Sequence, residues 1–229
     1  MNALTQIESN LIGSRQDIID LENKNSANIL VISDVHGDYD VFCNIIEEFG
    51  VVSDALVFCG DGVSDICTFI ENAHDDEALQ DLLPPVIAIV KGNGDMTKNT
   101  ISVPKSSTNQ TGTETITAPL SLLFTAAGRN IHVLHGHQYS VEYGLDTLAV
   151  TAESLDADLV FFGHTHRPHW EDISGTLFLN PGSCARPRGG HPPSFAVVSY
   201  PGMQDRYDVS FFGIRRELFG KNSFYPVNV

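Results

Sequence analysis

Five times along this chain an apolar run of strand length stops at glycine and at side chains that bind metals. Ile29–Ile32 leads to Asp34-Val35-His36-Gly37-Asp38, Ala55–Cys59 to Gly60-Asp61-Gly62, and Val86–Val90 to Gly92-Asn93-Gly94-Asp95. Ile131–Leu134 leads to His135-Gly136-His137, and Leu159–Phe162 to Gly163-His164-Thr165-His166. Short continuous apolar runs mark strands covered on both faces, as in sheets flanked by helices or by a second sheet. In such sheets, sites form where loops leave the carboxyl ends of neighbouring strands. The five clusters are therefore expected to share one crevice.

Further runs at Leu120–Thr125, Leu177–Leu179, Phe195–Tyr200 and Tyr207–Phe212 bring the expected strands to nine or more. Helices fit at Tyr39–Phe49, Asp65–Glu71, Glu77–Leu83 and Leu145–Leu155, the first closed by Gly50 and the third by Pro84-Pro85. Strand–helix units thus dominate the first half, while polar turns such as Ala127-Gly128-Arg129-Asn130 join later strands as antiparallel hairpins. The fold class is α/β, with two stacked mixed sheets and helices outside. Residues 1–27 have a loose helical period and read as a helical extension with a polar linker, leaving 28–229 as one domain. Lys105–Thr115, rich in Ser, Thr, Asn and Gly, reads as a mobile surface excursion.

Charge and cysteine content narrow the function. With 13 Lys and Arg against 29 Asp and Glu, the net charge is −16, which removes the electrostatic drive for binding a nucleic-acid duplex. No apolar stretch approaches the ~20 residues of a membrane span, and no basic segment precedes an apolar core near Met1. The expected compartment is the cytoplasm. Four irregularly spaced cysteines, Cys43, Cys59, Cys67 and Cys184, read as reduced thiols.

The candidate donors are Asp34, His36, Asp61, Asn93, His135, His164 and His166. In Asp34-x-His36 and His164-x-His166 the donors stand at i and i+2, on one side of an extended chain. Seven donors exceed what one four-coordinate ion takes, yet they suit two ions that share a carboxylate. Asp61, alone on its loop, is the expected bridge. Imidazole and carboxylate without thiolate favour Mn, Fe, Zn, Co or Ni over Ca, and paired ions ~3.5–4 Å apart can clamp both oxygens of a phosphoryl displacement.

The ordered set D-x-H, G-D, G-N-x-D, H-G-H and G-H-T-H resembles the calcineurin-like metallophosphoesterase superfamily, and is most similar to its small single-domain bacterial and archaeal phosphodiesterases. The resemblance implies the four-layer α/β-β/α sandwich of that family from about Ile29 onwards. It also implies two divalent metal ions, manganese first, with Asp34, His36, Asp61 and His166 on one and Asp61, Asn93, His135 and His164 on the other. The implied reaction is hydrolysis of a phosphate ester, most readily a diester, by a hydroxide bridging the ions. A small phosphorylated substrate is the expected partner, and the resemblance leaves a homo-oligomer open.

This chain departs from many larger relatives at Gly94, where they carry the histidine of G-N-H-D/E that protonates the leaving group. Without it, esters with good leaving groups are favoured, since general acid help contributes ~10²- to 10⁴-fold. His137 and Asp95 are the candidates for catalytic roles, His137 against substrate or bound water and Asp95 by orienting a ligand. Their plainer readings are a rim packing residue and a turn residue. Asn93 and Arg186, with Arg188 beside it, are the candidates for holding the substrate's phosphate, against solvated loop residues. Asp38 reads as the cap of the helix that begins at Tyr39. Asn180-Pro181-Gly182-Ser183 resembles the N-P-G-S segment near the family's site, His132 reads as structural, and His74, His169 and His191 as loop or surface residues. Two other readings use the same site or fold: a phosphomonoesterase acting on nucleotides or proteins, and a non-catalytic scaffold.

Overall fold

The computed structural model describes residues 2–104, 111–201, 207–217 and 221–229. In chain order the elements are α1 (Arg15–Glu22), β1 (Ser26–Ile32), α2 (Tyr39–Phe49), β2 (Ala55–Phe58), α3 (Val63–Ala73), α4 (Glu77–Leu82) and β3 (Val86–Ile89). They continue with β4 (Lys98–Pro104), β5 (Thr111–Thr117), β6 (Ser121–Ala126), β7 (Arg129–Leu134), α5 (Asp146–Ser154) and β8 (Leu159–Phe161). The last are β9 (Pro168–Ile173), β10 (Thr176–Pro181), β11 (Ser194–Pro201), β12 (Asp208–Arg215) and β13 (Ser223–Val227).

Alternation along β1 explains the layering. Ile29 and Val31 point into a core shared by two sheets, while Leu30 and Ile32 point the other way, under the helices. All four are fully buried. Each such side chain contributes roughly 1.5–3 kcal/mol through burial, so a strand apolar on both faces is stable only between two layers.

One sheet has the order β13-β12-β11-β1-β2-β3 and the other β6-β7-β8-β10-β9. β1, β2 and β3 are mutually parallel, as are β7, β8 and β10, and antiparallel strands flank both triplets. Outside the first sheet, α2 buries Val41, Phe42, Ile45 and Ile46 on one face, with Phe42 edge-on to Phe58 and Phe69. Outside the second, Leu148 and Ala152 of α5 pack on Val160, Phe162 and Phe178. The result is the four-layer α/β-β/α sandwich. Among the described residues no helix is long and apolar enough to cross a membrane.

Several local expectations need correction. In the first 27 residues the helix is confined to α1. The preceding segment runs alongside β3 through an Ile12–Ile87 bridge, buries Leu4, Leu11 and Ile12, and pairs the Gln6 amide with the main chain of Thr117. β1 starts at Ser26, before the expected boundary at 27/28. Thr111–Thr115, expected in a surface excursion, lies in β5, hydrogen-bonded to β4 as a hairpin; 105–110 fall outside the described residues. Asp38 stands at the N-cap position of α2 without a capping bond, and its carboxylate instead pairs with Arg216.

Candidate metal centre

The five loops named from the sequence leave β1, β2, β3, β7 and β8, and they converge at one end of the sandwich. His36 Nε2 and His166 Nε2, 130 residues apart, come within 3.1 Å. The chain accepts unusual backbone geometry to achieve this. Asp34, His36, Asp61, His164 and His166 all have φ between 48° and 71°, the left-handed region that side chains usually avoid. Such residues carry strain of order 1–3 kcal/mol each and cluster at functional sites.

Each aspartate has one oxygen pinned and the other aimed into the crevice. Asp34 Oδ2 accepts from Ser33 Oγ (2.7 Å) and the His164 amide (3.1 Å). Its Oδ1, buried and without a hydrogen-bond partner, faces Nε2 of His166 at 3.1 Å, of His36 at 3.7 Å and of His135 at 3.9 Å. Asp61 Oδ1 accepts from the Gly94 amide (2.8 Å), leaving Oδ2 3.6 Å from His135 Nε2 and 3.9 Å from His36 Nε2. Two groupings can hold an ion, Asp34 with His36 and His166, and Asp34 with Asp61 and His135. Asp34 is common to both, whereas Asp61 was the expected bridge; its Oδ2 nonetheless lies between imidazoles of both groups.

Main-chain carbonyls set the imidazole tautomers. His135 Nδ1 donates to the Cys59 carbonyl at 2.7 Å, and His166 Nδ1 to the Arg186 carbonyl at 2.6 Å. Each leaves an Nε2 lone pair turned towards the aspartates, the arrangement that ligating histidines use. Lone pairs and carboxylate oxygens that face one another without protons repel. A cation relieves that repulsion, and the orphaned Asp34 Oδ1 and His135 Nε2 are buried groups that want one. The residues present therefore fit divalent metal.

Protons are the competitors. Burial opposes the charged form of Asp61, but His135, the Gly94 amide and His36 more than offset it and hold its carboxyl well below the usual range. For His135 and His166 burial also opposes charge, yet Asp61, Asp34 and their carbonyl partners raise both above an ordinary imidazole. Burial pushes His36 down despite the pull of Asp34 and Asp61. His137 is lowered by burial and then by His135 and His164.

The remaining site residues are spread more widely. Asn93 is exposed on the loop whose next residue, Gly94, holds Asp61. Its backbone neighbour Gly92 comes so close that a Cβ there would meet Asp61 Oδ1 at 2.1 Å, which reserves the position for glycine. His164 belongs to neither grouping, because its Nε2 bonds to Glu142, a partner that sequence reasoning missed. His137 stands at the rim, with its ring centroid 5.5 Å from that of His135 and 6.1 Å from that of His164. The exposed Arg186 places its charge near His36.

Asp95, a catalytic candidate by virtue of orienting a ligand, is a positioning residue for the Asp61 loop. Its carboxylate accepts from the amides of Asp61 (2.6 Å), Gly62 (3.0 Å), Val63 (3.0 Å) and Gly92 (2.8 Å), so neither oxygen is left for reacting groups. The Asn180–Ser183 segment works similarly. Asn180 Nδ2 donates to the Gly163 carbonyl, and Ser183 Oγ donates to the Asp34 carbonyl. His132 is buried within β7, as expected, and His169, read as a surface or loop residue, is exposed on β9.

Comparison with known proteins agrees with this geometry. Residues 28–202 match the model of the calcineurin-like phosphoesterase superfamily domain. The chain is 31% identical over 172 residues to the probable metallophosphoesterase YsnB of Bacillus subtilis, covering 75% of this chain and 83% of that protein. It is 31% identical over 83 residues to the phosphodiesterase YfcE of Escherichia coli, covering 36% and 41%. A solved predicted phosphoesterase from Streptococcus pneumoniae superposes with a TM-score of 0.60 at 23% identity, over 89% of this chain and 99% of that one. Vps29 of Entamoeba histolytica, solved with Zn²⁺, gives 0.58 at 19%, over 87% and 98%. With the superfamily match spanning most of the chain and the ordered motifs meeting in one crevice, this protein belongs to the calcineurin-like phosphoesterase superfamily.

Proposed function

We propose that this protein is a phosphodiesterase of the cytoplasm that uses two divalent metal ions, manganese foremost, to hydrolyse a small phosphorylated substrate. The observation that carries the proposal is the pair of buried, unpartnered atoms Asp34 Oδ1 and His135 Nε2 aimed into a crevice that also receives Asp61, His36 and His166. Bound divalent cations supply Lewis-acid charge for a phosphoryl oxygen and make coordinated water more acidic.

The chain's own residues do the rest. Asp34 and Asp61 present one fixed oxygen each, and His135 and His166 present lone pairs locked by the Cys59 and Arg186 carbonyls. His164, now bonded to Glu142, and Asn93 on the neighbouring loop are the residues that would hold a second ion. The Asn93 amide and the Arg186 guanidinium stand at the rim, where the substrate's phosphate enters, and the Arg186 charge locally offsets the repulsion from a chain of net charge −16. His137, at the rim beside His135 and His164, is placed to contact the substrate or bound water, and with its pKa lowered it is a poor proton donor to the leaving oxygen.

The preference for diesters follows from Gly94. A Cβ at this position would come within 3.2 Å of Asp61 Oδ1, and the glycine offers no side chain to protonate a leaving group. Diesters and esters with acidic leaving groups then react best. Turnover of bis(p-nitrophenyl) phosphate with saturating Mn²⁺ or Ni²⁺ tests the reading. Activity lost in Asp61→Ala together with bound metal supports it; no turnover, with metal binding indifferent to Asp61→Ala, leaves the scaffold reading in its place. Across monoesters and diesters of graded leaving-group pKa, a steep dependence supports missing acid catalysis, and a flat one assigns a proton donor elsewhere.

A further inference from the structure

A cleft of about 520 Å³ opens beside the metal centre and shares its wall. Glu142, on one side, is bonded to His164, and Thr165, on the other, sits between His164 and His166. The Arg188 amide, on the same rim, donates to the His166 carbonyl. A group bound in this cleft is therefore a neighbour of whatever binds at the metals. The volume lies in the ~300–1,000 Å³ range of small-molecule sites.

Among the described residues, two arginines with no ion pair line this cleft, and a third, Arg186, stands at the rim of the metal centre. Among the described residues, Arg15, Arg129 and Arg216 form ion pairs with Glu8, Asp158 and Asp38, and Arg215 lies over the Tyr225 ring. Arg167 and Arg188, which line the cleft, form no salt bridge among the described residues, although acids outnumber bases 29 to 13 in the chain. Two carboxylates also line it, and each already faces an imidazole. Glu142 is turned to His164, and Glu171 lies 3.5 Å from His169. The Arg188 charge still reaches Glu142 and His166. Gly189 lets the Arg167 side chain lie close: a Cβ there would be 3.1 Å from Arg167 Nε and 3.3 Å from His191 Cδ2. Val141, Leu145, Phe162 and Pro168 supply an apolar stretch of wall, with His191 also lining the cleft.

We propose that this cleft receives the leaving-group side of the ester, and that the natural leaving group has an apolar body and a phosphate of its own, held by Arg167 and Arg188. The proposal rests on the phosphodiesterase reading above. In the reaction the oxygen of water bonds to phosphorus, the bond from phosphorus to the leaving oxygen breaks, and that oxygen takes up a proton. Guanidinium is the natural recognition group, since it meets phosphate with two parallel hydrogen bonds.

The test compares methyl phenyl phosphate with methyl 4-(phosphonomethyl)phenyl phosphate, whose phosphonate resists hydrolysis, on the full Mn²⁺-loaded chain. The expected result is a kcat/KM on the order of 10- to 100-fold higher for the phosphonate-bearing ester, as one or two charge-assisted hydrogen bonds provide, with the gain in KM. Arg167→Glu and Arg188→Glu should each collapse that ratio, and Arg167→Lys should restore part of it. Equal kcat/KM for the two esters, or a ratio surviving both charge reversals, would overturn the cleft assignment while leaving the phosphodiesterase reading standing. No turnover of either ester would overturn that reading and the assignment with it.

Discussion

The floor and the rim of the metal centre are built on different principles. On the floor, Asp34 and His135 are fully buried and His166 and Asp61 nearly so, and each is fixed by hydrogen bonds to main-chain or neighbouring groups. On the rim, Asn93 and Arg186 are exposed, His137 and His164 half-buried, and the contact of His164 with Glu142 points away from the floor. A preorganised floor favours metal binding, because the cost of ordering its ligands is met during folding. A loose rim leaves room for substrate. Metal affinity should therefore follow the floor, and substrate choice the rim.

The sharpest way to break that division is Asp34→Ala. Removing a neighbour that merely orients a ligand typically costs 10- to 100-fold in metal affinity, so losing the carboxylate common to both groupings should cost more than about 100-fold and abolish turnover. Calorimetric titration with Mn²⁺ checks this, and near-normal affinity would show that the floor does not bind the metal. Asp95→Ala comes next. Four main-chain donors lose their acceptor, and bonds to charged groups contribute roughly 1.5–3 kcal/mol each, so stability in urea should fall by about 3 kcal/mol or more and metal affinity by 10- to 100-fold. An unchanged urea midpoint would contradict the positioning role.

Proton competition sharpens the comparison further. His135 and His166 have raised pKa values in the metal-free protein, so they hold protons at a higher pH than an ordinary histidine does. Metal needs both neutral. Mn²⁺ affinity should therefore fall with decreasing pH from a point above 6.5, the ordinary imidazole value. Titrations across pH 5.5–8 check this; affinity that stays level down to pH 6 would contradict it. The smallest effect is expected for Glu142→Gln. An exposed pair of this kind contributes about 0.2–1 kcal/mol, so freeing His164 should strengthen the second ion's binding by less than about fivefold. Weaker binding would instead make Glu142 a ligand.

The floor was far more legible in the sequence than the rim, for a physical reason. Buried strands impose continuous apolar runs, and ligands at their ends stand out against them, so β1, β2, β3, β7 and β8 and their loops could be located from residue order. Polar strands give no such contrast. β9, reading Pro168-His-Trp-Glu-Asp-Ile173, exposes four of its six residues, and β4 and β5 bury only Ile101, Val103 and Ile116. The abundance of Thr and β-branched residues in 98–117 was the one available signal for that hairpin. Asp95 was visible as part of G-N-x-D, but its four main-chain bonds depend on how two loops approach, which spacing does not encode. Glu142 carries no motif at all. The N-terminal segment was misread because Leu4, Ile7 and Leu11 follow a helical spacing, whereas a turn at 8–10 folds the chain back so that Ile12 bridges both Gln6 and Ile87 of β3.

The central claim is that the buried aspartate oxygens and imidazole nitrogens form a cradle for two cations. Anomalous diffraction from crystals soaked in Mn²⁺ tests it most directly. Two peaks about 3.5–4 Å apart are expected, both within coordinating distance of carboxylate oxygens from Asp34 or Asp61. Density confined to other parts of the surface, with those carboxylates still bare, would contradict it.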